Sequence, residues 1–242
     1  MINRLKEAGE LLSFQIFYRQ RRSKATWVLA AIIIAMYLLE EFYGGSTDIY
    51  VLIGMGANVR SLVAQGEYSR LMSSVFLHAG FMHVFFNSYV LIVLGGFFNK
   101  ILGESKYLSI FFISGISGSL ASLALGKAEV SVGASGAIWG LFGASLALAI
   151  FKTDLIPEAL RLALRKTTII NLLINLGVSF LPMVDFWAHI GGGVGGFICS
   201  TFIIWPVNTM RLEKIRSKFF QLTALILGSC YILSIIGIWW KL

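Results

Sequence analysis

Charge is scarce in this sequence. Only 13% of its 242 residues are Asp, Glu, Lys or Arg, about half the share of a soluble domain. Disorder needs low hydrophobicity and high charge, so it is excluded, and so is an ordinary soluble enzyme. With 3 prolines this is not a Pro-rich linker protein. Cys199 and Cys230 are too few for a disulfide framework and read as small packing residues in apolar stretches.

Hydrophobic residues make up 57% of the chain, and their arrangement counts the membrane spans. The long stretches without Asp, Glu, Lys or Arg are 25–39, 71–99, 107–126, 130–151, 167–184, 186–210 and 219–240. A spanning helix needs about 20 apolar residues. The first window is extended by Phe42 and Tyr43 if Glu40 and Glu41 sit at the interface. The windows are too continuous for membrane β-strands. The expected fold class is therefore an all-α polytopic membrane protein with seven spans, divided into a cytoplasmic amphipathic segment 1–24, a membrane core 25–210, and a basic linker with the last span, 211–242.

The net charge of +8 raises the possibility of nucleic-acid binding. Its distribution argues otherwise: with the N-terminus in the cytoplasm, 16 of the 20 Lys and Arg residues fall on the inner side, the positive-inside bias. Residues 1–24 read as an amphipathic helix on the inner membrane surface. Residues 44–70 read as an outer loop that packs on the outer leaflet through the apolar run 49–53. Residues 158–165 read as a short interfacial helix. The expected partners are membrane lipid and membrane proteins, not nucleic acid.

Polar residues at membrane depth are costly and so are functional candidates. All three histidines lie in charge-free windows. His78, His83 and Asn87 cluster near the start of the second, Ser135 lies near the start of the fourth, and His189 near the start of the sixth. These windows run the same way, from outside to inside, so His83, Asn87, Ser135 and His189 are expected at one depth in the outer leaflet. Helix N-termini there offer free N–H groups and positive dipoles to a developing oxyanion. Gly136/Gly140 and Gly192/Gly196 have the spacing that lets membrane helices approach closely. A serine and an imidazole at hydrogen-bond reach are the minimum for base-activated nucleophilic catalysis. His78 and His83 are five apart and do not share a helix face, so no metal site is expected, and no cofactor. Asp185, four residues before His189, reads as a solvated loop acid, with Asp185→Ala expected to keep most activity. Its rival role is the third member of a triad. Asn171 and Asn175 read as bonding between helices.

Three segments carry a resemblance: His78-Ala-Gly-Phe-Met-His83-Val-Phe-Phe-Asn87, Gly133-Ala-Ser135-Gly136, and Ala188-His189-x-x-Gly192-x-x-x-Gly196. In order and spacing the chain resembles the rhomboid family of intramembrane serine proteases over residues 40–210. The resemblance implies a six-helix bundle plus a seventh C-terminal span. It implies Ser135 as nucleophile and His189 as base, with His83, Asn87 and the Ser135 N–H as the oxyanion hole. It further implies that His78 supports the water-accessible outer end by hydrogen bonding and that Gly133 leaves room for the backbone. The fifth span and 181–187 would be gate and cap. Substrates would be transmembrane proteins cut near the outer face, and the enzyme would sit in the cell membrane. Three positions depart from the pattern. Ser69 precedes Arg70 where Trp is usual, Asn99 stands for an acidic residue, and Trp139 stands for an aromatic that is often Tyr. The alternative reading is an inactive rhomboid-like protein that binds membrane clients.

Overall fold

The computed structural model describes residues 2–181, 184–207 and 209–239. Two helices open the chain, α1 (Ile2–Gln20) and α2 (Lys24–Phe42). The outer loop folds into α3 (Ile49–Gly54), strand β1 (Asn58–Val59), α4 (Arg60–Ala64) and α5 (Arg70–Ser73). Then come α6 (Phe81–Val90), α7 (Gly96–Leu102), α8 (Glu104–Leu125), strand β2 (Val130–Ser131), α9 (Ser135–Ile150), α10 (Glu158–Val178), α11 (Phe186–Ile204) and α12 (Met210–Trp239).

Each charge-free window carries a helix, and the protein is a helical membrane bundle. Among the described residues, five helices are long and apolar enough to cross a membrane: α2, the rod Phe81–Leu102, α8, α11 and α12. The other two windows are served by shorter or mixed helices. α9 has only 16 residues, and α10 begins among charged residues at Glu158.

The core is built around α9, which is buried along almost its whole length. It packs against α11 and α8, and glycine makes this possible. A Cβ on Gly192 would overlap the Gly136 backbone, one on Gly196 the Gly140 backbone, and one on Gly143 the carbonyl of Gly193. The expected four-residue glycine seam is thus where the two helices touch.

The loop 44–70 is more ordered than its composition suggests. Asp48 caps α3 by accepting from the Tyr50 N–H at 2.7 Å. Arg70 is buried, and its guanidinium donates to the carbonyls of Ile53 and Ala57 (2.7 and 3.0 Å) and to Glu67 at 2.7 Å. These bonds hold the loop without the missing Trp. β1 pairs antiparallel with β2, Asn58 opposite Ser131, which ties the loop to the segment leading into Ser135. Of the apolar run, Leu52 is buried while Ile49 and Tyr50 are exposed.

Several readings are corrected. Glu40 is not exposed at the end of its span: it is fully buried, and its carboxylate accepts the His78 N–H at 3.0 Å. Residues 158–165 are the first turns of α10 rather than a separate helix, because nothing after Pro157 interrupts the helical pattern. The basic segment 211–218 is likewise the start of α12. Asn175 donates to the Asn171 carbonyl at 2.8 Å within α10, not across to another helix. α1 is fastened to the rod: Tyr18 stacks on Phe14 and meets Phe97, with the Lys100 ammonium 4.4 Å over its ring. Leu12 and Ile16 stay exposed. Ile2 and Leu5, in the segment read as amphipathic, have side chains outside the described residues, and Pro182 and Met183 of the expected cap also lie outside them.

Candidate active site

The three signature segments converge. Ser135 is the first residue of α9, after a loop that must turn sharply. Gly133 supplies the turn with φ +123°, a conformation that side chains with a Cβ resist. It is also pressed by its surroundings: a Cβ there would lie 2.7 Å from His83 Cε1 and Nε2 and 3.6 Å from Asn87 Nδ2. His83 and Asn87, one turn apart on α6, therefore both face the chain just before Ser135.

Asn87 is buried, and its Nδ2 donor has no hydrogen-bond partner among the described residues. Such an orphan is costly in a folded protein. Ser135 N–H is one of the helix-start donors without an intrahelical partner. Two orphan donors and an imidazole thus meet beside one serine. A cavity of ≈ 10 Å³ lies there too, lined by Ser74, Ser119, Ser131, Ser135 and Ala188 among others, which is room for about one water.

His78 supports this loop from behind. Its ring bonds the Phe76 carbonyl through Nδ1 at 3.2 Å, and Nε2 accepts the Ala134 N–H at 3.5 Å. It is fully buried under the loop. The His78 and His83 rings do meet, 5.0 Å apart and edge to face. His78 precedes the helix, so their spacing of five residues does not separate them. Both His78 nitrogens are already bonded, and no group of three metal-ligating side chains occurs among the described residues.

His189 comes from the first turn of α11. Its imidazole stacks on the indole of Trp139, centroids 5.1 Å and planes 20° apart. Trp139 lies one turn after Ser135 on the same face of α9, so the imidazole and the hydroxyl share that face. Ala188 packs on Gly136, whose Cβ position is 3.2 Å from the Ala188 carbonyl. Ser135 and His189 are not hydrogen-bonded to each other here. Catalytic bonds are often long without substrate and tighten when it binds.

The Asp185 carboxylate does not hydrogen-bond the His189 ring; it is bonded within the protein. It caps α11, accepting the Ala188 N–H at 3.0 Å through Oδ1. Its Oδ2 accepts from Ser122 (2.5 Å) and Ser131 (2.6 Å). The carboxylate pins the start of α11 to α8 and to the strand before Ser135. The partner of His189 is instead Ser179, its Oγ 2.6 Å from Nδ1 and both residues buried. The sequence carries no signal for this residue: a serine ten positions before a histidine, across a loop, has no periodic meaning.

These features define a class: a multi-pass helical membrane protein with a serine at a buried helix start, faced by an imidazole and by unpaired donors. A family model for the Rhomboid domain matches residues 65–206. The chain belongs to the rhomboid family. Similar proteins include the rhomboid protease GluP of Bacillus subtilis, 33% identical over 84% of this chain and 39% of that protein. RHOMBOID-like protein 5 of Arabidopsis thaliana is 40% identical over 62% of this chain and 48% of its own length. The putative rhomboid protease YdcA of Bacillus subtilis is 36% identical over 57% of this chain and 68% of that one. The chain thus spans less than half the length of the first two relatives.

Proposed function

We propose that the protein is an intramembrane serine endopeptidase that cuts transmembrane segments of other membrane proteins near the outer face. Residues 25–210 form its catalytic core, anchored in the cell membrane with a cytoplasmic N-terminus. The observation that carries this reading is the buried, unpartnered Nδ2 of Asn87, aimed with His83 at the loop that delivers Ser135.

In this mechanism His189 Nε2 takes the proton as Ser135 Oγ attacks the scissile carbonyl. The tetrahedral oxyanion is held by the Ser135 N–H, Asn87 Nδ2 and His83. His189 then protonates the leaving amine, giving an acyl-enzyme. Water attacks the ester by the same base, and the substrate's new carboxyl end leaves. Trp139 fixes the plane of the imidazole, and His78 fixes the Ala134–Ser135 backbone.

Bilayer geometry supports a site below the surface. The 16 residues of α9 span about 24 Å at 1.5 Å per residue. The hydrocarbon core is about 30 Å thick. If α9 ends at the inner boundary, Ser135 lies inside the outer leaflet, where the polar cavity gives water a place. A substrate helix has its carbonyls already hydrogen-bonded, so helix-breaking residues and a small residue before the cut site favour cleavage. α10, with Leu173 and Ile174 exposed, is the gate under this reading.

The alternative, an inactive client-binding protein, is favoured by the missing Ser135–His189 bond. Cleavage of a reporter transmembrane segment by reconstituted protein separates the two. Wild type should cleave, Ser135→Ala and His189→Ala should not, and a fluorophosphonate should label Ser135. A protein that neither cleaves nor labels is a client binder.

A further inference from the structure

We propose that Ser179 is a positioning residue for His189: its hydroxyl selects the imidazole tautomer with the proton on Nδ1 and leaves the Nε2 lone pair free to face Ser135. This rests on the serine-protease reading of the site. Ser179 Oγ touches two atoms. One is the Asn175 carbonyl oxygen at 2.8 Å, which can only accept. The other is His189 Nδ1 at 2.6 Å.

A serine hydroxyl has one proton to give and two lone pairs. Two oxygens 2.8 Å apart need a proton between them, so the Ser179 proton is directed to the Asn175 carbonyl. The contact at Nδ1 must then be Nδ1–H donating to Ser179 Oγ. A neutral imidazole carries one N–H, so Nε2 is the acceptor. That is the form a general base needs. Among the described residues no other side chain competes for Nδ1: Trp139 covers a ring face, and the Asp185 carboxylate is held by Ser122, Ser131 and the Ala188 N–H.

Ser179 is itself well fixed. It is 1% exposed, and its own N–H bonds back to Asn175 and Leu176 at the end of α10 (2.9 and 3.1 Å). The bond therefore links the base on α11 to the end of α10. It takes the orienting place of a triad acid with an uncharged group, which spares the membrane a second charge beside the imidazole.

The test compares wild type, Ser179→Ala and Ser179→Thr in reconstituted form. Three quantities are read: kcat and KM on a reporter segment, the rate of Ser135 labelling by a fluorophosphonate, and the ring ¹⁵N shifts of His189. In Ser179→Ala, kcat and the labelling rate should fall together by about 10–100-fold, the size of effect seen when a group orienting a functional histidine is lost. KM should stay within about twofold, because substrate binding does not use this bond. Ser179→Thr keeps the hydroxyl and should recover most of the rate. The ¹⁵N shifts should report Nδ1–H in wild type and a mixture in Ser179→Ala. A wild-type imidazole protonated on Nε2 overturns the proposal even if the alanine variant fails to fold, and so does a folded Ser179→Ala with unchanged kcat. If the wild type neither cleaves nor labels, the protease reading fails, while the ¹⁵N shifts still decide the tautomer.

Discussion

His83 presses on Gly133: its Nε2 lies 2.7 Å from where a Gly133 side chain would begin. His83 is on α6 and Gly133 in the loop between β2 and α9, and the contact lies just before Ser135. Gly133→Ala must push His83 away or move the loop, and its φ of +123° adds strain. A displaced oxyanion donor costs about 100–1,000-fold in kcat, so reporter cleavage should drop by that order. The strain costs about 1–3 kcal/mol of stability. Near-wild-type turnover would show that the donors are not placed by this contact.

Asn87 offers a trade of stability for activity. Asn87→Leu removes a buried donor that has no partner among the described residues. It should lower kcat by about 100–1,000-fold with KM little changed. It should also raise stability by about 1–3 kcal/mol, the cost of such an unsatisfied group. Kinetics and a detergent melt on the same sample check both signs, and a variant less stable than wild type would contradict the assignment.

For Asp185 the three bonds to Ser122, Ser131 and the Ala188 N–H predict a structural role. Asp185→Ala should lose about 1–2 kcal/mol as a helix cap is removed, and more if the serine contacts matter. Turnover per folded molecule should stay within a few-fold. Asp185→Asn, which still accepts from Ala188, should recover much of the melting temperature. A 1,000-fold loss of kcat in folded Asp185→Asn would mean the carboxylate acts on His189 after all.

Two glycine substitutions should have opposite signs. Gly196→Ala puts a methyl into the Gly140 backbone and should cost about 3 kcal/mol or more, since packed backbones cannot yield as side chains do. Gly177, in α10, has nothing within 4 Å of its Cβ position, and Gly177→Ala should stabilise by about 0.5–1 kcal/mol. Thermal melts of the pair report the seam directly.

The last helix is part of the bundle rather than an appendage. Tyr231 of α12 is buried, donates to the Phe112 carbonyl at 2.9 Å, and meets the Phe76 ring edge to face. Phe76 is the residue whose carbonyl holds His78. Tyr231→Phe should cost about 1 kcal/mol for the lost hydrogen bond. Tyr231→Ala should cost about 3–5 kcal/mol for the cavity. Chemical denaturation in detergent measures both, and equal losses would place the contribution in the hydroxyl.

Much of this was legible in the residues. Burying an uncompensated charge in lipid is so costly that charge-free windows mark helices directly, and all seven windows carry one. Small residues four apart mark a close helix contact because only they let backbones touch, and Gly136, Gly140, Gly192 and Gly196 meet as spaced. Polar residues near the starts of charge-free windows marked the candidate site, since polar groups in apolar stretches are costly. His83, Asn87, Gly133, Ser135, Trp139 and His189 are together in the folded chain, and their chemical roles await the kinetics above.

Other features were decided by the tertiary structure. Glu40 looked interfacial because a carboxylate at the end of a span usually is. It is buried because the His78 N–H, distant in sequence, arrives to meet it. Asp185 caps α11 locally through the Ala188 N–H, but its other oxygen meets Ser122 and Ser131 only because α8 and β2 pack beside the start of α11. Ser179 acquires its meaning only when the end of α10 stands beside the start of α11. Periodicity and composition are local and so mark where the helices form. Which hydrogen-bond donor finds which acceptor depends on contacts between residues far apart in the chain, and those exist only once the helices have packed.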